Sequence, residues 1–156
     1  MGKDGKRFRA LKIRSMYADA ETNMAKYLTP EQITQWETEH KLDDDPRITR
    51  VGRFVRKTSI DEIPQFVNVL LGQMSLVGPR PITEEELVWF GDDVDEFLSV
   101  TPGITGYWQA YARNDATWES GERQKMELYY VRNRSLALDA RIILKTFSAV
   151  IGGTGQ

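Results

Sequence analysis

Residues 45–81 read DPRITRVGRFVRKTSIDEIPQFVNVLLGQMSLVGPRP. Arg47, Arg50, Arg53 and Arg56 recur every three residues and Lys57 follows, a spacing that winds as a basic stripe on a helix. Asp61-Glu62 then stands as an isolated acidic pair, and the apolar run 63–71 closes at Gly72, a helix C-terminal signal. Ser59-Ile60-Asp61-Glu62 scores as a capping box, but Ser59 as the cap would put Pro64 at the fifth helical position, where an N–H is needed. With Asp61 as the cap, Pro64 falls at the third position, whose N–H has no intrahelical partner. Asp61 is therefore the expected cap, and 73–81 is a loop ending in Gly78-Pro79-Arg80-Pro81.

Upstream, 7–14 places a basic residue at nearly every second position with Leu11 and Ile13 opposite, the period of a half-buried strand. Tyr17, Ala20, Met24, Tyr27 and Leu28 recur at helical spacing, and Thr29-Pro30-Glu31-Gln32 opens a second helix with Ile33, Trp36 and His40 on one face. That helix stops before Asp43-Asp44-Asp45-Pro46. The acidic segment 17–45 reads as a helical insertion. Downstream, Thr83-Glu84-Glu85-Glu86 caps a helix to about Phe90, and 92–99 adds a further turn or two. Residues 101–106 are turn-rich, 107–111 are expected to be extended, 118–133 and 136–151 read as longer helices, and 152–156 form a tail. The expectation is an α/β (α+β), mostly helical small single domain, 1–156, with a short sheet.

The 156 residues suffice for one domain with a real core. The absence of cysteine excludes disulfides, a thiolate nucleophile and Cys-ligated metals. His40, the single histidine, excludes paired imidazoles, leaving carboxylates, hydroxyls, Lys and Arg to carry any chemistry. No run approaches 18 consecutive apolar residues, so this chain by itself is expected to be soluble. The net charge of −2 is strongly blocked: +5 over 1–14, −6 over 15–45, +4 over 46–82, −7 over 83–101 and +2 thereafter. The acidic blocks and a pI near 5.5 argue against a nucleic-acid partner.

Two adjacent carboxylates beside a basic helix and a helix start make a place for phosphate and Mg²⁺, which takes one or two carboxylates and completes its shell from the substrate's phosphates. The alternative is that Asp61 only caps a helix and the arginines form a solvated face. Arg80, held between prolines, is either a preorganised bidentate phosphate anchor or part of a rigid structural turn. Tyr107, Trp108, Tyr111 and Arg113 offer stacking surfaces and a further cation, or core packing.

Taken together, these residues resemble the bacterial sugar transferase family, the monotopic phosphoglycosyl transferases. Lys12-Ile13-Arg14-Ser15-Met16, the long stretch 45–81 and TPGITGYWQ (101–109) carry the likeness, with a weaker echo in YYVRNRSLALD (129–139). The resemblance implies a small catalytic domain on the cytoplasmic face of the bacterial inner membrane, preceded by a re-entrant membrane hairpin that this chain is expected to lack. It implies transfer of a sugar phosphate from a UDP-sugar to undecaprenyl phosphate, with release of UMP, initiating capsule, exopolysaccharide or O-antigen synthesis. Carried over by motif, Asp61 would be the nucleophile and would bind Mg²⁺ together with Glu62. Arg56, Arg80 and Arg113, with Lys12 and Arg14 as weaker candidates, would hold phosphates. The sequence departs from the family pattern at Gln73, where an acid is common, and at Glu127, where aspartate is frequent. A non-catalytic module binding nucleotide sugars or lipid headgroups is the competing reading. Oligomeric state and the identity of the sugar are not legible.

Overall fold

The computed structural model describes residues 1–39, 42, 44–112 and 116–151; His40, Asp43, Arg113 and the 152–156 tail lie outside the described residues. Seven α-helices and two short strands are described: α1 (Pro30–Glu39), α2 (Arg50–Lys57), α3 (Gln65–Leu70), β1 (Ser75–Val77), α4 (Val94–Leu98), β2 (Gly103–Thr105), α5 (Tyr107–Tyr111), α6 (Glu122–Asn133) and α7 (Leu136–Ile151). The domain is mostly helical with a small sheet, as expected. The strands lie elsewhere than the periodicity suggests.

β1 and β2 pair in parallel, with Ser75 opposite Gly103 and Val77 opposite Thr105. β1 thus falls inside what reads as a loop, and β2 inside what reads as turns. A parallel pair requires a crossover, supplied here by the 3₁₀ helix Glu85–Asp93 and α4. The pairing depends on close backbone approach. A Cβ on Gly103 would stand 2.1 Å from the Gly78 nitrogen, so only glycine fits there. The expected extended stretch 107–111 is instead the one-turn helix α5, which buries Trp108 and Ala110.

Two apolar clusters form the core, and the second includes Val77 of β1. Ile82, Phe90, Phe97, Trp118 and Leu128 form one, and Val77, Ala110, Tyr130 and Ile142 form the other. α6 contributes Leu128 and Tyr130 and α7 contributes Ile142, while the other large side chains come from the segment between the strands and from Trp118. α6 begins four residues later than the expected start at 118, after a turn closed by Gly121 at φ +70°.

Residues 7–14 form no strand. Leu11 donates its N–H to Asn68 Oδ1 (3.0 Å), Ile13 donates to the Asp61 carbonyl (3.0 Å), and Asn68 Nδ2 donates to the Arg9 carbonyl (2.9 Å). A side chain and a turn carbonyl take up its backbone groups instead, and Leu11 and Ile13 remain exposed. Between 17 and 28 the expected helix is replaced by turns and a 3₁₀ turn at Met24–Lys26, with Tyr17 stacked on Tyr27 at 5.3 Å. α1 follows with its capping box intact: Gln32 N–H donates to Thr29 Oγ1 (3.3 Å) and Thr29 N–H to Gln32 Oε1 (3.0 Å).

Among the described residues no helix is long and apolar enough to cross a membrane.

Candidate active site

The acidic pair is positioned by α2 and the turn that follows it. Thr49 Oγ1 caps α2 by accepting from Gly52 N–H (2.9 Å). Gly52 lies against the Ser15 backbone, where a Cβ would stand 1.9 Å from the Ser15 carbonyl oxygen. That approach lets Arg56, one turn further on, donate from Nε to Ser15 Oγ at 2.7 Å. The expected four-arginine stripe is broken, because Arg47 precedes α2 and is fully buried while Arg50 and Arg53 are exposed. Arg47 Nε and its terminal nitrogen donate to Asp45 Oδ1 (2.9 Å) and Oδ2 (2.6 Å).

After α2 the chain reverses at Ser59, whose φ of +55° is unfavourable for a side-chain-bearing residue. A 3₁₀ turn over Ile60–Glu62 follows, and α3 begins only after Pro64, the residue at its N-cap. Asp61 is therefore not the cap of α3. Pro64 needs no partner there, and the Asp61 carboxylate is available for chemistry. α3 ends as expected at Gly72 (φ +71°), where Gln73 N–H bonds the Asn68 carbonyl and Gly72 N–H bonds the Val69 carbonyl.

Asp61 is buried and Glu62 half-buried. Lys12 Nζ lies 3.0 Å from Glu62 Oε1 and 3.9 Å from Asp61 Oδ2. Burial pushes the Asp61 carboxyl above its ordinary value; Lys12 opposes the rise, neighbouring Glu62 adds to it, and Arg56 weakly counters it. The pair thus already draws one cation between its carboxylates. Among the described residues no cluster of three or more His, Cys, Asp or Glu could enclose a metal ion. Two carboxylates with an open side fit Mg²⁺, which relies on substrate phosphate and water for its remaining ligands.

Glu62, Lys12 and Arg80 border one cleft of about 840 Å³, within the range of small-molecule sites. Arg80 N–H donates to both Glu127 carboxylate oxygens at 3.3 Å, and its guanidinium sits 5.8 Å from the Trp108 ring centroid. The structure brings Lys12, Asp61 and Glu62 into contact, places Arg56 near Asp61, and sets Arg80 with Lys12 and Glu62 along the cleft. Arg14 is exposed and joins none of these contacts. Gln73 accepts from Asn68 Nδ2 at 2.7 Å, so its amide serves the end of α3.

Glu127, unmarked by the sequence except as a departure from pattern, is a positioning residue for the Arg80 loop. It is fully buried beneath Arg123, whose guanidinium lies 4.1 Å from the Trp108 ring and 3.8 Å from the Trp118 ring. Burial pushes its carboxyl up to about 7, against the pull of Arg123, the Arg80 amide and the Arg80 charge, with Glu86 adding to the rise. Between the ordinary value of 4.5 and about 7 the folded chain holds a proton that the unfolded chain releases, so stability falls as pH rises through this window. Glu127→Gln is expected to match the wild type near pH 4.5 and to be more stable by about 3 kcal/mol at pH 8. Urea unfolding at both pH values checks this, and parallel pH profiles would contradict it.

The family model described as bacterial sugar transferase matches residues 1–153. The undecaprenyl-phosphate galactose phosphotransferase of Salmonella typhimurium is 45% identical, over 99% of this chain and 33% of its own length. The UDP-galactose-lipid carrier transferase of Erwinia amylovora is 43% identical, over 99% and 32%. The exopolysaccharide production protein ExoY of Sinorhizobium fredii is 40% identical, over 100% and 69%. The chain thus spans about a third of the first two relatives.

Proposed function

The chain belongs to the bacterial sugar transferase family, and from that premise we propose that it transfers a sugar 1-phosphate from a UDP-sugar to undecaprenyl phosphate. The observation that carries this reading is the Asp61 carboxylate: buried, free of capping duty, and beside Arg56, Lys12 and Glu62, the last two of which line the cleft that Arg80 also borders.

In the first step an Asp61 oxygen attacks the sugar-linked phosphorus. The bond from that phosphorus to the bridging oxygen breaks, and UMP leaves with the electron pair. In the second step a phosphate oxygen of the lipid attacks the same phosphorus, the aspartyl bond breaks and the carboxylate is regenerated. Division into two displacements is the advantage of a covalent nucleophile. Lys12, Arg56 and Arg80 hold phosphate oxygens and orient the phosphorus toward Asp61. Asp61 and Glu62 would hold Mg²⁺, which when bound offsets repulsion between carboxylate and diphosphate. The test is UMP release from UDP-galactose in the presence of Mg²⁺ and undecaprenyl phosphate. Release that is abolished by a chelator supports the proposal; binding without release would leave a non-catalytic module.

A lipid acceptor must be met at a membrane surface, and two helices are suited to one. α3 buries its polar residues, Gln65 and Asn68, and exposes Phe66, Val67 and Leu70, the last 87% exposed. α2 exposes Val51 and Phe54 among the exposed cations Arg50, Arg53 and Lys57. This inverted polarity suits docking on the anionic cytoplasmic leaflet of the bacterial inner membrane. Leu70→Ser with Leu71→Ser is expected to weaken binding to phosphatidylglycerol vesicles at least about 10-fold while leaving the melting temperature unchanged. Co-sedimentation measures the first and calorimetry the second. Unchanged partition would contradict the docking face.

A further inference from the structure

The cleft that holds Lys12, Glu62 and Arg80 is also lined by Glu21 and Trp36, two residues of segment 17–45 that the phosphate chemistry leaves unused. Building on the transferase reading, we propose that Trp36 and Glu21 bind the donor's sugar ring, so that segment 17–45 helps to decide which sugar is accepted.

The segment is joined to the reacting centre at both ends. Met16 bridges Ile48, Tyr17 N–H donates to the Arg47 carbonyl (3.0 Å), and Thr49 N–H donates to the carbonyl of Ser15, the residue whose hydroxyl receives Arg56. Trp36 is held in place from behind. The Arg47 guanidinium lies 4.1 Å from its ring centroid and is itself fixed by three hydrogen bonds to the buried Asp45 carboxylate. The fully buried Arg47 lies against the half-buried indole, and Trp36 also lines the cleft. Glu21 is exposed toward the same space.

The chemistry of this pair selects among the donor's parts. With the phosphates assigned to Lys12, Arg56 and Arg80, a UDP-sugar still presents uracil, ribose and the transferred sugar. An ionised carboxylate only accepts hydrogen bonds, and a hexose offers several hydroxyl donors. Uracil's edge carries two carbonyl acceptors, which a carboxylate repels, against one N–H. An indole face packs against the C–H face of a pyranose while the carboxylate takes its hydroxyls. A site that hydrogen-bonds a substrate hydroxyl discriminates strongly against sugars that lack it or point it elsewhere.

The experiment pairs steady-state UMP release from UDP-galactose with calorimetric binding of UMP, which carries the base but no transferred sugar. Trp36→Ala is expected to raise KM for UDP-galactose about 10-fold, with kcat within about 2-fold of wild type and UMP affinity unchanged. Trp36→Phe is expected to restore most of the loss. Glu21→Gln, at an exposed position where misfolding is not at issue, is expected to raise KM several-fold and likewise spare UMP binding. Unchanged KM in both Trp36→Ala and Glu21→Gln overturns the proposal. A parallel loss of UMP affinity also overturns it, by assigning the indole to the nucleoside. A wild-type chain that releases no UMP from any UDP-sugar overturns the transferase reading and this inference with it; a wild type that turns over, with both variants unaffected, overturns this inference alone.

Discussion

Asp61→Asn is expected to lower UMP release by at least about 10⁴-fold while leaving the fold intact, because an amide oxygen of the same shape cannot act as the nucleophile. The two halves of this expectation have separate structural grounds. The side chain caps no helix, since α3 starts after Pro64, so its replacement removes no cap. An asparagine also relieves the cost of burying a charge, which is visible in the upward displacement of the Asp61 carboxyl. Glu62→Gln, at a half-buried site bonded to Lys12 Nζ, is expected to cost less, about 10²-fold, because it weakens the cation's surroundings without removing the attacking atom. Were Asp61 merely structural, Asp61→Asn would change the melting temperature and spare turnover. Parallel kinetics and thermal melts of the two variants separate these outcomes.

Arg47→Ala is expected to be the most damaging single change to stability, about 3–5 kcal/mol, corresponding to a fall in melting temperature of roughly 10 °C or more. Arg47 and Asp45 are both buried and share three side-chain hydrogen bonds, while Arg47 N–H adds a fourth to Asp45 Oδ1 at 2.9 Å. Truncation strands the Asp45 carboxylate and removes the backing of Trp36. Burial alone would raise the Asp45 carboxyl, but the Arg47 hydrogen bonds and charge, with Arg56 assisting, outweigh burial and hold it below its ordinary value. A depressed carboxyl contributes stability that is present above its unfolded value and lost as pH falls through the folded one. The difference between wild type and Arg47→Ala should therefore narrow below about pH 4. The double variant Asp45→Ala/Arg47→Ala is expected to be less destabilised than the sum of the two single changes, because it leaves no stranded charge. Denaturant titrations of all three variants at pH 7 and pH 4 measure this, and additive losses would contradict the account.

Much of the architecture follows from local signals that tertiary contacts leave alone. The Thr29 capping box, the Gly72 terminator and the helical periodicity of 118–133 and 136–151 depend on neighbouring residues, and each appears in the fold, the first of these helices from Glu122. The failures share a cause. Alternation in 7–14 resembles a strand, yet the hydrogen bonds that hold the segment come from Asn68 and the Asp61 carbonyl, partners that no local pattern names. Similarly, the parallel pairing of β1 and β2 rests on backbone proximity at Gly78 and Gly103, more than twenty residues apart, and three-residue strands are too short to show a period. Asp61 illustrates the same limit at the site. Its capping score is a local property, but the positive φ at Ser59 turns the chain and delays α3, releasing the carboxylate. The acidic pair, Arg56, Arg80 and Lys12 were marked as candidates by residue type and by the family resemblance. Glu127, Glu21 and Trp36 were not, because their roles arise only from burial and from what the fold brings beside the cleft.

In the proposed mechanism Asp61 forms a covalent bond to the sugar phosphate. The most direct test is intact mass spectrometry of the chain after brief exposure to Mg²⁺ and UDP-galactose without lipid acceptor. The expected result is a mass increase of one galactose phosphate, discharged on addition of undecaprenyl phosphate and absent from Asp61→Asn. UMP release with no adduct under rapid quenching, or an adduct that persists in Asp61→Asn, would contradict it.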